Sequence, residues 1–120
     1  MMKRLIAAAA MLAVSSPVAL AATASIKTTP TTVKAGNAVT VSGSVAGGCS
    51  AGSQVTIYSK AFKGATTKDF AGVPAVFTKA GKGGKFSIKV TIKKTVKKGT
   101  YSVGGRCGGG NFGSSMLTVK

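Results

Sequence analysis

The sequence predicts an all-β chain, an antiparallel two-sheet sandwich of about seven strands following a cleaved helical signal peptide. Three observations carry this expectation. Apolar residues in the patterned segments recur with a period of two rather than 3.6, so each segment has one face for a core and one for water. Glycine-rich turn signals separate the segments. Thr and Val are abundant within them, and β-branched side chains fit a pleated surface.

The leader comes first. Lys3 and Arg4 make a short basic start, Leu5 to Val14 form a ten-residue apolar run, and Ser15-Ser16-Pro17 breaks it. Ala19-Leu20-Ala21 is a small-x-small cleavage signature, which places the signal peptide at 1–21; Ala22-Thr23-Ala24 offers a second site as late as 24. A transmembrane anchor needs about 20 apolar residues, roughly twice this run. No cysteine follows the cleavage signature for lipid attachment, and no apolar segment near the C-terminus offers an anchor. The expectation is a secreted, extracellular protein, either released or held on the cell envelope only by non-covalent contacts.

The remaining segment, 25–120, has the size of one small domain. Pro30 divides a first strand into an Ile26 segment and a Val33 segment. Lys34-Ala35-Gly36-Asn37 is a turn, after which Val39, Val41 and Val45 alternate with Thr40, Ser42 and Ser44. Gly47 to Gly52 leads to a strand with Val55 and Ile57 in phase. Lys60 to Pro74 has no clear period and reads as a long loop with a short edge strand, and Ala75 to Thr78 as a weak strand. Gly81-Lys82-Gly83-Gly84 precedes a strand in which Phe86, Ile88, Val90 and Ile92 alternate with polar residues. Lys97-Lys98-Gly99 precedes the Tyr101 and Val103 strand, and Gly108 to Asn111 precedes a last strand with Leu117 and Val119 in phase.

Cys49 and Cys107 are the only cysteines, and export would place them in an oxidising compartment. An intramolecular disulfide is expected, with an intermolecular bridge or two free thiols as the alternatives. A domain this small buries little surface and gains from such a staple.

The stretch Val33-Lys34-Ala35-Gly36-Asn37-Ala38-Val39-Thr40-Val41-Ser42-Gly43 resembles the opening of bacterial secreted immunoglobulin-like domains of the single-disulfide, actinobacterial type. So do Cys49-Ser50-Ala51-Gly52-Ser53-Gln54-Val55-Thr56-Ile57-Tyr58, Gly84-Lys85-Phe86-Ser87 and Gly99-Thr100-Tyr101-Ser102-Val103. The resemblance implies an immunoglobulin-like sandwich in which Cys49 follows the second strand and Cys107 ends the sixth. The two would meet at one end and clamp the sheets together. Tyr101 stands six residues before the cysteine rather than the two of a tyrosine corner, and reads as a core residue with a hydrogen-bonding tip. Where such domains carry Asp or Glu in their turns this chain carries Lys, which argues against a calcium-dependent role.

Charge dominates the function reading. The chain has 17 Lys and Arg against one acid, Asp69, and no His. Without Lys3 and Arg4 the balance is still about +14. With no His and no Glu, neither a carboxylate pair for glycoside hydrolysis nor a Ser-His-Asp or Cys-His arrangement can be assembled. Zinc and calcium lack their ligands. The glycine runs match no phosphate-loop pattern. The expectation is therefore a non-enzymatic binding module without cofactor or metal.

Its candidate anion-binding residues are lysines. Lys85, Lys89 and Lys93 would alternate on one solvent face at spacings of about 13 Å, and Lys94, Lys97 and Lys98 continue into the next turn. An immunoglobulin-like topology implies that this turn, the turn with Lys34 and the loop with Lys60, Lys63 and Lys68 share the end opposite the disulfide. A uniformly basic surface is the competing arrangement. The partners expected are anionic cell-wall polymers, polysaccharides or lipid surfaces. One Arg and no Trp beyond the leader argue against sequence-specific nucleic-acid recognition. Phe62, Phe70, Phe77 and Phe112 could form an exposed aromatic patch, with one or two of them in the core. The other function classes left open are a cationic defence protein and a small-ligand carrier like the sandwich apoproteins of chromoprotein antibiotics.

Overall fold

A computed structural model describes residues 24–45 and 49–120. The expected signal peptide, 1–21, lies outside the described residues. Nine strands form among them: β1 (Ser25–Thr29), β2 (Thr32–Val33), β3 (Ala38–Ser44), β4 (Gln54–Tyr58), β5 (Asp69–Phe70), β6 (Val73–Lys79), β7 (Lys85–Thr91), β8 (Gly99–Cys107) and β9 (Gly110–Val119). They make two sheets, β1-β3-β7 and β2-β9-β8-β4-β6-β5. The pairings are antiparallel except that of β2 with the end of β9. Cys49 and Cys107 are joined by a disulfide with their Cα atoms 6.0 Å apart. The described residues form an all-β, two-sheet, single-disulfide sandwich.

The period-two pattern produces the core directly. Val39, Val41, Phe86 and Val90 of the smaller sheet and Val55, Ile57, Val103, Leu117 and Val119 of the larger one point inward and are buried together. Pro30 ends β1 because it has no N–H to give a ladder. The chain then crosses to the other sheet, where Thr32 and Val33 align with Thr118 and Val119.

Thr28 breaks the pattern. It lies on the inward face of β1, is 3% exposed, and its hydroxyl has no hydrogen-bond partner. A buried, unsatisfied hydroxyl costs on the order of 1 kcal/mol or more. Thr28→Val, of nearly equal shape, should raise stability by about 1 kcal/mol, read as a higher urea midpoint with unchanged slope. A lower midpoint would mean that the hydroxyl is satisfied in solution.

The chain departs from the sequence expectation in three places. Nine strands form against an expected count of about seven; the separate Val33 segment is β2 and the short edge strand of the 60–74 stretch is β5, each of two residues. The stretch expected to be a loop from Lys60 contains a 3₁₀ turn at Lys60–Phe62, then β5, and β6 already begins at Val73. The 3₁₀ turn is started by Ser59, whose hydroxyl accepts from the Ala61 N–H at 3.1 Å. The last strand begins at Gly110, inside the stretch expected to be the turn before it. Gly108 and Gly109 both have positive φ (66° and 87°) between the paired residues Cys107 and Gly110. That is the backbone a tight two-residue hairpin of the I′ type requires, and it extends pairing into a segment with no apolar alternation.

Candidate functional site

Strand direction decides which connections meet. Ala38, which opens β3, pairs with Thr91, which closes β7. Gly99, which opens β8, pairs with Val119, and Val33 pairs with the same Val119. The turn 34–37, the turn 92–98 and Lys120 therefore share one end. β4 runs toward that end beside β8, through Thr56–Arg106 and Tyr58–Gly104, and delivers the 3₁₀ turn and Lys63 to it. Backbone bonds lock the turns together: Gly36 N–H donates to the Ile92 carbonyl at 2.6 Å, Ile92 N–H to Asn37 at 2.9 Å and Ala35 N–H to Lys120 at 3.2 Å. The disulfide lies at the other end, where Cys107 closes β8.

Seven of the ten candidate lysines come to this end: Lys34, Lys60, Lys63, Lys93, Lys94, Lys97 and Lys98, all exposed. Lys120 joins them, which the sequence reading did not single out. Two depressions flank the 92–98 turn. One, of about 310 Å³, is lined by Lys60, Lys63, Thr95, Val96, Lys97 and Tyr101. The other, of about 400 Å³, is lined by Gly36, Thr91, Ile92, Lys93, Lys94 and Thr95. Tyr101 is half-buried, and its hydroxyl donates to the Lys97 carbonyl at 2.6 Å, fixing the turn that carries Lys97 and Lys98. A third depression, about 310 Å³, adjoins the first and is walled by Tyr58, Val73 and Tyr101 with Lys60 at its rim.

The other three candidates are elsewhere. Lys85 and Lys89 project from the outer face of the β1-β3-β7 sheet, in register with Ser44 and Thr40. β7 ends at Thr91, so Lys93 belongs to the turn and not to that face. Lys68 lies over the Phe77 ring, its ammonium 5.4 Å from the centroid, on the outer side of the larger sheet. Lys79 and Lys82 lie toward the disulfide end, tied there by the bond pair between Ala80 and the 52–53 turn.

The four phenylalanines do not form one patch. Phe62 is 0% exposed in the core, and Phe112 packs edge-on to buried Phe86 at 5.4 Å. Only Phe70 and Phe77 lie on the outer face, each beneath a cation. Arg106 stacks on Phe70 at 4.9 Å and donates to Asn111 Oδ1 at 3.1 Å and to the Gly109 carbonyl at 2.6 Å. Tyr58 stacks on Phe70 and donates to the same Asn111 oxygen at 3.1 Å. The sequence carries one faint signal for this cluster: Arg106 is the lone arginine beyond the leader.

Fold and surface together define a small disulfide-stapled β-sandwich with a lysine-rich end. No protein-family model matches the chain, and no curated protein matches it. Among solved structures it is similar to macromomycin, at 15% identity and a TM-score of 0.53 over 81% of this chain and 99% of that one. It is also similar to part of the alkylpurine DNA glycosylase AlkC of Pseudomonas fluorescens, at 13% identity and a TM-score of 0.56; the match covers 80% of this chain and 29% of that one. At these identities the likeness is one of fold.

Proposed function

We propose that this chain is an exported, immunoglobulin-like module that works without catalysis and is held on anionic polymers of a cell envelope by its lysine-rich end. The observation that carries the reading is convergence. Three connections far apart in sequence, 34–37, 60–63 and 92–98, bring seven lysines to one end. The one acid of the chain, Asp69, sits on the edge strand β5. Such a cluster neutralises nothing internal and attracts polyanions over roughly 10 Å at 0.1 M salt. Export is supported by the leader pattern and by the cysteine pair, which suits an oxidising compartment. The immunoglobulin-like assignment is supported by the strand order and by the bond from Tyr101 back to Lys97, which resembles a tyrosine corner at unusual spacing.

The test is salt elution from whole cells and from immobilised anionic polymer. The variant Lys93→Gln, Lys94→Gln, Lys97→Gln, Lys98→Gln should elute at much lower salt. At about 1 kcal/mol per lysine near an anionic surface, its affinity should fall on the order of a hundredfold or more. The slope of log affinity against log salt should fall by roughly 2–4. An unchanged elution profile would end the electrostatic reading. Leakage of anionic vesicles by the natural chain would instead identify a membrane-disturbing defence protein.

The depression walled by Tyr58, Val73 and Tyr101 favours a second reading, a small-ligand carrier, since its volume of about 310 Å³ is at the lower edge for ligand pockets. Saturable binding of an uncharged apolar dye, lost in Tyr58→Ala, would support it.

A further inference from the structure

The lysine-rich end has an order that charge alone does not require. Lys93 and Lys94 are consecutive, yet each side chain lies across a glycine of a different loop. A Cβ on Gly64 would stand 3.2 Å from Lys93 Cγ, and a Cβ on Gly36 would stand 3.2 Å from Lys94 Cγ and 3.3 Å from its Cε. Both glycines have positive φ, +82° and +101°, so each supplies both the turn and a floor that a larger residue would fill. The stems of the two neighbouring lysines are thereby laid over two different loops, one at Gly64 and the other at Gly36. Lys93 and Lys94 both line the depression beside Gly36, Lys60, Lys63 and Lys97 line the other, and Thr95 borders both.

The geometry points to a ligand with at least two linked anionic groups: a flexible phosphodiester chain that crosses the turn at Thr95 and sets successive phosphates in the two depressions. The inference rests on the anion-binding reading above and names the chemistry of its ligand. A lysine whose stem is already laid down, as those of Lys93 and Lys94 are at the depression beside Gly36, loses less freedom when an anion arrives there. Two linked anions then bind better than two free ones, because the second meets its site at high effective concentration.

Phosphate suits the donor set: the lysines act as point charges, a common mode of phosphate binding, whereas the fork that holds a planar carboxylate at two points belongs to arginine. Arg106, the lone arginine among the described residues, is committed to Phe70, Asn111 and Gly109, away from this end. A nucleic acid is disfavoured because single strands are held by stacking aromatics as well as charge. Of the rings in the chain, the one lining these two depressions is Tyr101, half-buried and bonded to Lys97. The depressions, about 310 and 400 Å³, exceed a phosphate group and leave room for a polyol spacer.

The experiment is calorimetric titration of the exported chain with glycerol-phosphate oligomers of one, two, four and eight repeats. Uronate oligomers and single-stranded DNA of equal charge serve as the comparison arms. The second repeat should raise affinity at least tenfold over the first. Lys94→Gln, or Lys60→Gln with Lys97→Gln, should each abolish that gain, while Lys82→Gln leaves it intact. A smooth rise proportional to charge, unaffected by which side is altered, would overturn the two-place arrangement. Equal binding of uronates would overturn the choice of phosphate, and tighter binding of DNA would overturn the choice of chain. If cells hold the protein in a salt-dependent way but the oligomers show no length step, only this inference falls. If neither polymer nor cells hold it, the anion-binding reading falls too.

Discussion

Replacing Cys49 and Cys107 together with Ser should lower stability by roughly 4 kcal/mol, about a thousandfold in the folding equilibrium. The bridge closes a loop of sequence separation 58, joining the connection between β3 and β4 to the last residue of β8. That connection passes from one sheet to the other, so the bond ties the crossover to the strand against which β4 and β9 both pair. Its effect is mainly on the unfolded chain, whose ends would otherwise wander across more than half the domain. A domain of this size has a total stability of only about 5–15 kcal/mol, so the loss takes a large share of it. Urea unfolding of the natural and doubly substituted chains, each with and without reductant, measures the effect. The reduced natural chain should match the substituted one, and a loss below about 1 kcal/mol would show that packing alone holds the two sheets.

Phe62→Ala should cost about 3–5 kcal/mol, the range for emptying a fully buried aromatic site. Phe62 is 0% exposed and lies in the 3₁₀ turn that leaves β4, beside Ala61, also 0% exposed, and behind the Ser59 cap. The same three-residue turn begins with exposed Lys60 and is followed by exposed Lys63. The buried ring is therefore the peg that holds two cations at the basic end. The substitution should weaken polyanion binding of the folded fraction as well as stability, whereas Phe62→Leu should cost much less on both counts. Urea unfolding gives the first quantity, and titration at a temperature where the variant is still folded gives the second. A stability loss with unchanged binding would show that Lys60 and Lys63 are positioned by something other than Phe62.

Much of the fold is legible locally. Val39 and Val41, Val55 and Ile57, and Leu117 and Val119 announce their strands and their inward faces, because a strand's side chains alternate whatever it pairs with. Phe62 was not legible as a core residue. It stands between two lysines with no periodic partner, and only the 3₁₀ geometry turns it inward. The early start of β9 was hidden for a related reason: Gly110 to Ser115 carries no alternation and is strand only because the Gly108-Gly109 turn lays it beside β8.

The site divides the same way. By itself the sequence determined a basic chain without His or Glu, two cysteines able to pair, and strands whose turns carry lysine. Tertiary structure alone decided that Lys68 covers Phe77 while Lys93 and Lys94 part across Gly64 and Gly36. Charge and period belong to residues and their immediate neighbours. Where an ammonium group comes to rest depends on which distant loop passes beneath its stem, and that is settled only when the sheets have packed.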